Sequence, residues 1–404
     1  MPGPLEGFKV IDLTTRVSGP LGTMILADQG ADVIKVETPA GGDHTRQVAT
    51  RRNGFSASFL NNNRNKRSVA LNLKTPEGLE AVKRLVREAD VFIQNFRPGV
   101  TERLGLGYEA LRAINPGLVY ASISGFGFDG PFAQRPVFDP LVQSLSGLTT
   151  VQAGSDEERP RLVRTILPDK LTGFTMAQAV CAALLARSRS GEGQHIRLSM
   201  LDTVIAFLWG SDMGGHTFVG DEMEQEVAQS WIDLIYETQD GYISVAVMRH
   251  KEWVGLARAA ERPEWIEDPR FQDSEGLDHN KNARLELTQS VLRERTTADW
   301  IGRLEAAGVP CAPVLTRREA IRHPQVQANG IVVENDHPEA GRLRQAGNPA
   351  DFSGTPARHR FGAPPLGAHT REVLGEAGFS AAEIEAMIAA GAAAETAAKG
   401  EDAA

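Results

Sequence analysis

The sequence of 404 residues is 41% hydrophobic and 24% charged, which is typical of an ordinary soluble globular protein long enough for two or three domains. Its formal net charge of −9 excludes nucleic acid as the main partner, because phosphate binding requires a basic footprint across a whole domain. The two cysteines, Cys181 and Cys311, cannot build a disulfide framework or a zinc site, and they fit a reducing compartment. The sequence has no signal-peptide pattern and no membrane-spanning run, so we expect a cytoplasmic protein without a membrane partner.

The first 125 residues alternate between short apolar runs and helical patterns. The predicted strands cover residues 8–13, 32–36, 68–73, 90–96 and 118–124. The first two strands and the helix between them span about 30 residues, which is the length of a βαβ unit. Thr75 and Pro76 open a further helix, with the threonine as its cap and the proline at its first position. This half of the sequence therefore predicts a doubly wound α/β domain built on a parallel, buried sheet.

The segment from residue 44 to residue 76 is basic and contains no acidic residue, although the whole chain carries more Asp and Glu than Lys and Arg. This segregation favours an anionic ligand, and the phosphates of a nucleotide-like cofactor are natural candidates for charge-assisted hydrogen bonds. A solvated basic surface explains the same pattern. The basic residues are Arg46, Arg51, Arg52, Arg64, Lys66, Arg67 and Lys74.

Two aspartates stand where predicted helices begin. Asp169 follows Pro168 and precedes apolar residues at helical spacing, so we expect it at the N-cap or in the first turn, where the helix dipole favours the ionised carboxylate. An ionised, oriented carboxylate is the form that attacks a carbonyl carbon in covalent catalysis. Asp139, followed by Pro140, opens another helix. The two carboxylates could converge on one crevice and divide the nucleophile and acid/base roles, or both could be ordinary helix caps.

Residues 125–130 match the pattern G-x-G-x-x-G after a predicted strand. The dinucleotide-binding fingerprint, however, opens a helix after the first strand of the domain. Here Pro131 and Pro136 follow at once, and the strand is a late one. We therefore predict a flexible loop near the functional site instead of a dinucleotide-binding turn.

The pattern changes in the second half of the chain. Predicted strands at 233–238 and 242–248 flank Asp240-Gly241, which is a hairpin signal. Thr316 and Glu319 form a predicted capping box. Further helices are predicted at 199–209, 251–260, 284–295 and 297–307.

These patterns predict two domains joined by linkers. The expected parts are a large α/β domain in residues 1–200, a linker in 201–224, a smaller α+β domain in 225–320, a linker and return to the large domain in 321–388, and a flexible tail in 389–404. Residues 330–334 are predicted to rejoin a sheet. The tail is rich in alanine with scattered charge, a composition typical of a frayed terminus.

Several runs together resemble the family III CoA-transferases. The runs are FKVIDLTTRVSGPLGTMILADQGADVIKVE, NKRSVALNLKTPEG, NFRPGVTERLGLGYE, NPGLVYASISGFGFDGP, LPDKLTG, SGEGQHIRLSMLD, AAGVPCAPV and LGAHTREVL. They cover nearly the whole chain. The family includes formyl-CoA, carnitine-CoA and bile-acid CoA transferases, and its fold also houses α-methylacyl-CoA racemase.

The resemblance implies a Rossmann-like large domain made from both chain ends, a small domain between linkers, and a homodimer whose two chains interlock like rings. It implies coenzyme A as an acyl-CoA substrate. The nine histidines show no spacing typical of metal ligands, so we expect no metal. The family nucleophile matches Asp169, which would attack the donor thioester to give an aspartyl anhydride and then an aspartyl-CoA thioester. Asp139 would assist in placing the substrate.

The resemblance also implies a set of residues that bind CoA. They are Val17, Asn95, Phe96 and Arg103, with Arg97 and the cluster of Arg64, Lys66 and Arg67 as candidates for the phosphates or for adenine stacking. Thr38 departs from the family, since many members carry an arginine there, and Arg46 or Arg52 is a candidate to replace it.

Three hypotheses follow from these residues. The first is CoA transfer from an acyl-CoA to a free carboxylic acid, with a dicarboxylic acceptor favoured by the excess of basic residues. The second is racemisation of an acyl-CoA, but racemases use a histidine where this chain has Phe138, so one of the two bases is missing. The third is a CoA-binding protein without chemistry.

Overall fold

A computed structural model describes residues 3–220 and 234–396. The chain divides into two compact units, one formed by Met1–Val219 with Gly330–Ala404 and the other by Gly220–Asn329. Residues 221–233 and 397–404 lie outside the described part, so the end of the predicted linker, the start of the predicted small domain and the second half of the predicted tail are not described. No helix among the described residues is both long enough and apolar enough to cross a membrane.

The strands of the described chain are β1 Lys9–Asp12, β2 Asp32–Glu37, β3 Arg51–Arg52, β4 Phe55–Ser56, β5 Lys66–Leu71, β6 Val91–Gln94, β7 Val119–Ser124, β8 His195–Ser199, β9 Ile235–Glu237, β10 Tyr242–Val245, β11 Cys311–Pro313, β12 Val332–His337, β13 Gly341–Ala346 and β14 Ala393–Ala394. The α-helices are α1 Ser18–Asp28, α2 Ala57–Asn62, α3 Pro76–Arg87, α4 Val100–Arg103, α5 Tyr108–Ile114, α6 Asp139–Leu145, α7 Leu148–Ala153, α8 Leu167–Ser190, α9 Met200–Leu208, α10 His250–Ala259, α11 Ser274–His279, α12 Lys281–Leu292, α13 Thr297–Ala306, α14 Arg317–Ala320, α15 Pro324–Ala328, α16 Thr370–Glu376 and α17 Ala381–Ala389.

The first unit is built on a sheet of seven strands in the order β14-β5-β2-β1-β6-β7-β8. All neighbours pair in parallel except β14, which runs antiparallel to β5. Alternate residues of a strand pack on opposite faces, so that Val10 belongs to one buried cluster and Ile11 to the other. The five predicted strands and the α/β class are therefore confirmed.

The strand order reverses between β1 and β6. From β1 the chain continues to β2 and β5 on one side, and from β6 it continues to β7 and β8 on the other side. Loops at the carboxyl ends of β1 and β6 therefore diverge and leave a crevice, which is where open α/β sheets bind their ligands.

Helices α1 and α8 approach each other closely through two glycines. A Cβ atom on Gly22 would lie 2.7 Å from the backbone oxygen of Gly173, and one on Gly173 would lie 2.8 Å from that of Ser18. This close packing brings Ser18 in the first turn of α1 beside Asp169 in the first turn of α8. The prediction that Asp169 opens a helix is confirmed.

The chain end shows which sheets its strands join. Residues 332–337 lie in a sheet, as predicted for residues 330–334, but it is a two-stranded sheet with β13 and not the main sheet. The strand that does return to this sheet is β14, inside the segment predicted to be a flexible tail. Small alanines give no strand signal, but Ala393 is buried, and a short edge strand needs only backbone pairing and close packing.

The second unit contains a three-stranded antiparallel sheet in the order β11-β10-β9. The predicted hairpin is confirmed, because Tyr242 pairs with Glu237 across the turn at Asp240-Gly241. Trp253, Trp300 and Phe271 are buried in the core of this unit. The capping box of Thr316 and Glu319 is also confirmed.

Candidate active site

A cavity of about 270 Å³ lies where the strand order reverses. The loops that follow β1, β6 and β7 form its walls together with the segment that leads into α6 and the start of α8. Its lining residues are Thr15, Arg16, Ser18, Asn95, Phe96, Arg97, Pro98, Ile123, Ser124, Gly125, Ala133, Arg135, Pro136, Val137, Phe138, Asp139, Asp169 and Met200. The structure therefore brings both predicted catalytic aspartates into one crevice.

Asp169 is half-buried in the first turn of α8. Burial and the neighbouring negative charge of Asp139 raise the pKa of its carboxyl to about 6, while hydrogen bonds from Ser18 and the positive charge of Arg16 oppose that rise. The expectation that the helix dipole keeps this carboxylate ionised thus accounts for only part of its environment. The raising effects outweigh the lowering ones, so the pKa of this carboxyl lies well above the ordinary value of an aspartate.

Asp139 is only 4% exposed and is held by two donors. Its Oδ1 accepts a hydrogen bond from Gln143 Nε2 at 2.7 Å, and its Oδ2 accepts one from the backbone N–H of Asp169 at 3.3 Å. Burial raises the pKa of the Asp139 carboxyl. Asp139 therefore links α6 to the first turn of α8 and fixes the backbone of Asp169.

Gln143 is a site residue that the sequence analysis missed. Its Oε1 accepts a hydrogen bond from the backbone N–H of Val163 at 2.9 Å, so it joins α6 to the segment that precedes α8. The available signal was its spacing, since a glutamine four residues after Asp139 on a helix faces the same side.

Buried charges support the loop after β1. Asp12 Oδ1 accepts a hydrogen bond from the N–H of Thr14 at 2.8 Å, and Lys35 Nζ donates to the oxygen of Thr14 at 2.7 Å. Asp43 accepts from the N–H of Arg16 at 3.1 Å and forms an ion pair with Lys35 at 3.1 Å. The loop therefore rests on paired charges inside the protein, which hold it in one conformation.

Lys66 belongs to this buried network and does not line the cavity. Its side chain is 0% exposed and lies 3.1 Å from Asp12 Oδ2. Burial lowers the pKa of Lys66 to about 8 against the attraction of Asp12. The ammonium group predicted to bind a phosphate is thus paired inside the protein.

The two neighbouring arginines are also paired with the protein's own carboxylates. Arg64 contacts Asp28 at 2.6 Å, and Arg67 contacts Asp32 at 2.5 Å. Arg67 further contacts Glu372 and Glu376, each at 2.8 Å. Because these acidic partners lie far away in the sequence, the local excess of basic residues gave no sign of them.

Arg46 and Arg52, the two candidates to replace the arginine that many family members carry at the position of Thr38, form contacts outside the cavity. Arg46 pairs with Glu37 at 2.6 Å, and Arg52 donates to the backbone oxygen of Ala340 at 2.8 Å. Neither guanidinium lines the cavity.

The other residues predicted to bind CoA lie around the cavity. Asn95 accepts a hydrogen bond from the N–H of Thr15 at 3.0 Å and donates to its oxygen at 2.9 Å, which ties together the loops after β1 and β6. Phe96 and Arg97 line the cavity. Val17 is the half-buried N-cap of α1 between two lining residues, whereas Arg103 lies at the end of α4, outside the lining.

The glycine-rich loop lies near the site, as predicted. Gly125 lines the cavity and lies so close to Val137 that a Cβ atom would meet this side chain at 2.4 Å. The N–H of Gly127 donates to Ser124 Oγ at 3.1 Å, which turns the chain away from the end of β7.

A second cavity of about 280 Å³ lies beside the ends of β6, β7 and β8. Along its wall, Gln94 Nε2 donates to Ser122 Oγ at 3.0 Å, and Ser122 Oγ lies 2.9 Å from His195 Nε2. Gln94 Oε1 accepts from the N–H of Phe96 at 2.7 Å, so this chain of contacts supports the loop after β6. Within residues 3–220 and 234–396, no group of three or more metal-ligating side chains occurs.

Fold and cavity together define an α/β enzyme with a carboxylate pair and several guanidinium groups at the point where the strand order reverses. The profile of the family described as CoA-transferase family III matches residues 5–370, and the chain belongs to this family.

Individual relatives agree with this assignment. The chain is 32% identical over 380 residues to the succinyl-CoA:glutarate CoA-transferase of Homo sapiens, covering 92% of this chain and 86% of the relative. It is 36% identical over 371 residues to the acetyl-CoA:oxalate CoA-transferase of Acetobacter aceti, covering 90% and 93%. A CAIB/BAIF family protein from Brucella suis has a similar crystal structure, with a TM-score of 0.82, 31% identity and coverage of 93% of this chain and 100% of that one. The predicted enzyme class is confirmed: this chain is a CoA-transferase, an enzyme that moves CoA between an acyl-CoA and a carboxylic acid.

Proposed function

We propose that this enzyme transfers CoA from an acyl-CoA donor to a dicarboxylic acid through covalent intermediates on Asp169. The observation that carries the proposal is the position of Asp169, a half-buried carboxylate on the wall of the cavity, held beside Asp139 and hydrogen-bonded by Ser18. A dicarboxylic acceptor is supported by the arginines of the cavity and by the names of the two relatives, which act on glutarate and oxalate.

The reaction begins when the Asp169 carboxylate attacks the thioester carbonyl of the donor and expels the CoA thiolate, which leaves an aspartyl anhydride. The thiolate then attacks the aspartyl carbonyl and releases the donor acid, which leaves an aspartyl-CoA thioester. The acceptor carboxylate attacks this thioester and expels the thiolate again. Attack of the thiolate on the acceptor carbonyl forms the new acyl-CoA and restores the Asp169 carboxylate, with no net transfer of a proton.

Asp139 and Ser18 orient Asp169 for these reaction steps. Asp139 accepts a hydrogen bond from the backbone of Asp169, and Ser18 donates to the carboxylate itself, so the nucleophile is held in one orientation. A carboxylate with a pKa of about 6 is ionised at neutral pH and is a stronger base than an exposed aspartate.

We propose that CoA binds along the loop after β6. Asn95, Phe96 and Arg97 support this assignment because all three line the cavity, and Val17 and Arg103 remain proposed contacts on its margin. The ion pairs of Arg64, Lys66 and Arg67 give no support to phosphate binding by these three residues, so Arg97 is the preferred phosphate contact.

We further propose an interlocked homodimer in the cytoplasm. The first unit exposes large apolar side chains on α8 and α9, including Phe174, Leu185 and Phe207, each at least 50% exposed, which favours their burial against another chain. Light scattering after size exclusion is expected to give twice the mass of one chain. A monomer at micromolar concentration would contradict this part of the proposal.

The covalent steps are tested by measuring the intact mass of the enzyme after mixing with acetyl-CoA, succinyl-CoA and a branched acyl-CoA, followed by hydroxylamine and peptide mapping. We expect a CoA adduct or a hydroxamate on Asp169. Asp169→Ala is expected to lose both the adduct and turnover while it still binds CoA, and Asp299→Ala on the exposed face of α13 serves as the control. Wild-type turnover by Asp169→Ala would contradict the mechanism.

A further inference from the structure

The loop after β1 holds Arg16 in a backbone conformation that L-residues seldom adopt. Its φ angle is 71°, which is in the left-handed region, and such a conformation costs free energy for an arginine. The surrounding contacts impose it: the N–H of Arg16 donates to the buried Asp43, and both backbone groups of Thr15 are bound by Asn95. Buried polar contacts thus hold Arg16 in place at the mouth of the crevice.

Among the described residues, the side chain of Arg16 has no carboxylate within ion-pair distance, and the same holds for Arg97 and Arg135, the other two arginines of the cavity. Arg16 forms no ion pair with any residue of the described ranges 3–220 and 234–396, whereas Arg46, Arg64 and Arg67 all do. Arg16 is exposed, and its guanidinium carbon lies 5.0 Å from the centre of the Phe138 ring. Both residues line the cavity that contains Asp169.

We propose that Arg16 binds the unreactive carboxylate of a dicarboxylic acceptor and so selects dicarboxylates over monocarboxylates of equal length. This inference rests on the proposed function. When the acceptor attacks the enzyme thioester, its second, unreactive carboxylate lies in the same cavity as the carboxyl group of Asp139. The guanidinium of Arg16 can offer that carboxylate two parallel hydrogen bonds, and the Phe138 ring offers an apolar wall to the methylene chain.

The position of Arg16 favours the acceptor over the CoA phosphates. Arg16 lies two residues before Ser18, which is hydrogen-bonded to Asp169, and its charge lowers the pKa of that carboxyl. The reacting end of CoA is a thiol, and its phosphates lie at the other end of the pantetheine arm. The guanidinium of Arg16, which lies beside Asp169, is therefore placed to contact the acids that react at Asp169 and not the phosphates of CoA.

The test compares Arg16→Gln with the wild type on two acceptors, glutarate and pentanoate, with one fixed acyl-CoA donor. We expect the ratio of kcat/KM for glutarate to kcat/KM for pentanoate to fall about 10- to 100-fold, because a charge-assisted contact is lost, whereas the effect of Arg16 on the pKa of Asp169 acts on both acceptors alike. The KM for the donor is expected to stay unchanged. Arg318→Gln, an exposed arginine in the second unit, is the matched control and is expected to keep the wild-type preference.

Arg16→Gly is the second variant, since glycine adopts the positive φ without strain and also removes the charge. It is expected to lose the preference for glutarate in the same way, with thermal unfolding near that of the wild type. An equal fall for both acceptors, or a higher KM for the donor, in both variants would overturn the inference and leave covalent transfer through Asp169 intact. Failure of the proposed function is distinct, because the wild type would then form no adduct on Asp169.

Discussion

At the scale of single residues, the site depends on how two carboxyl groups share a small volume. Each oxygen of Asp139 already accepts a hydrogen bond, one from Gln143 and one from the backbone of Asp169. These donors oppose the rise in the pKa of Asp139 that burial causes. Burial raises the pKa of Asp169 to about 6, and a negative charge on Asp139 adds to that rise, so the nucleophile is sensitive to pH near 6.

This coupling predicts the pH dependence of adduct formation. Since only the ionised Asp169 attacks, the rate in the wild type is expected to rise with pH through a midpoint near 6 and to fall below it. Asp139→Asn removes the neighbouring negative charge but keeps an acceptor, so the midpoint is expected to move to lower pH. Single-turnover rates with one acyl-CoA between pH 4.5 and 8 measure both midpoints.

Asp336→Asn, on the hairpin formed by β12 and β13, is the control for this experiment and is expected to keep the wild-type midpoint. An Asp139→Asn midpoint equal to that of the wild type would show that the charge of Asp139 does not influence Asp169.

At the scale of elements, the loop after β1 depends on charges that the sheet buries. Lys66 on β5 reaches Asp12 on β1 and also donates to Asn63 Oδ1 at 2.8 Å and to the oxygen of Pro20 at 2.9 Å. The network therefore connects the end of the first strand, the start of α1 and the neighbouring strand. This explains why β5 begins at Lys66, two residues earlier than predicted, since a buried lysine gives a loop signal in sequence.

Lys66→Met is expected to lower the free energy of unfolding by about 3 to 5 kcal/mol, because Asp12 loses its nearest cation inside the protein. The KM for acyl-CoA is expected to stay near the wild-type value in the protein that remains folded. Denaturant unfolding and steady-state kinetics measure the two effects. Lys74→Met, at an exposed residue of the same basic segment, is the control. If Lys66→Met raised the KM for acyl-CoA without lowering stability, the predicted role of Lys66 in CoA binding would be restored.

The contact between α1 and α8 gives a second prediction at this scale. Gly173→Ala places a Cβ atom 2.8 Å from the backbone oxygen of Ser18, which cannot move aside without shifting the start of α1. We expect a loss of about 1 to 3 kcal/mol in stability and a fall in kcat, because Ser18 also contacts Asp169.

Gly302→Ala in α13 is the matched control, since a Cβ atom there meets nothing within 4 Å. It is expected to gain up to about 1 kcal/mol from helix propensity and to leave activity unchanged. Unchanged activity of Gly173→Ala would show that the packing of α1 against α8 does not influence catalysis by Asp169.

At the scale of the whole molecule, the C-terminal end of the chain completes the sheet that the N-terminal end begins. Ala393 and Ala394 pair with Leu71 and Ala70 of β5, and the oxygen of Ala394 accepts a hydrogen bond from Thr370 Oγ1 at 2.6 Å. The first unit is thus formed by both ends of the sequence.

Truncation after residue 390 is expected to destabilise the protein by about 1 to 3 kcal/mol, because it removes β14 and exposes the edge of β5. Truncation after residue 396 keeps this strand and is expected to leave the melting temperature unchanged. Equal melting temperatures for the two truncated proteins would contradict a structural role for β14.

The sequence by itself determined the class of fold, five strands of its main sheet, and the position of Asp169 at a helix start, because these follow from local periodicity and from capping residues. Family motifs then pointed to the enzyme class. Only the tertiary structure decided which charges are free. Arg64, Lys66 and Arg67 are paired with carboxylates up to 309 residues away, whereas Arg16 faces the cavity without such a partner in the described chain. Periodicity and composition report a residue's neighbours along the chain, whereas ion pairs and pKa values depend on its neighbours in space.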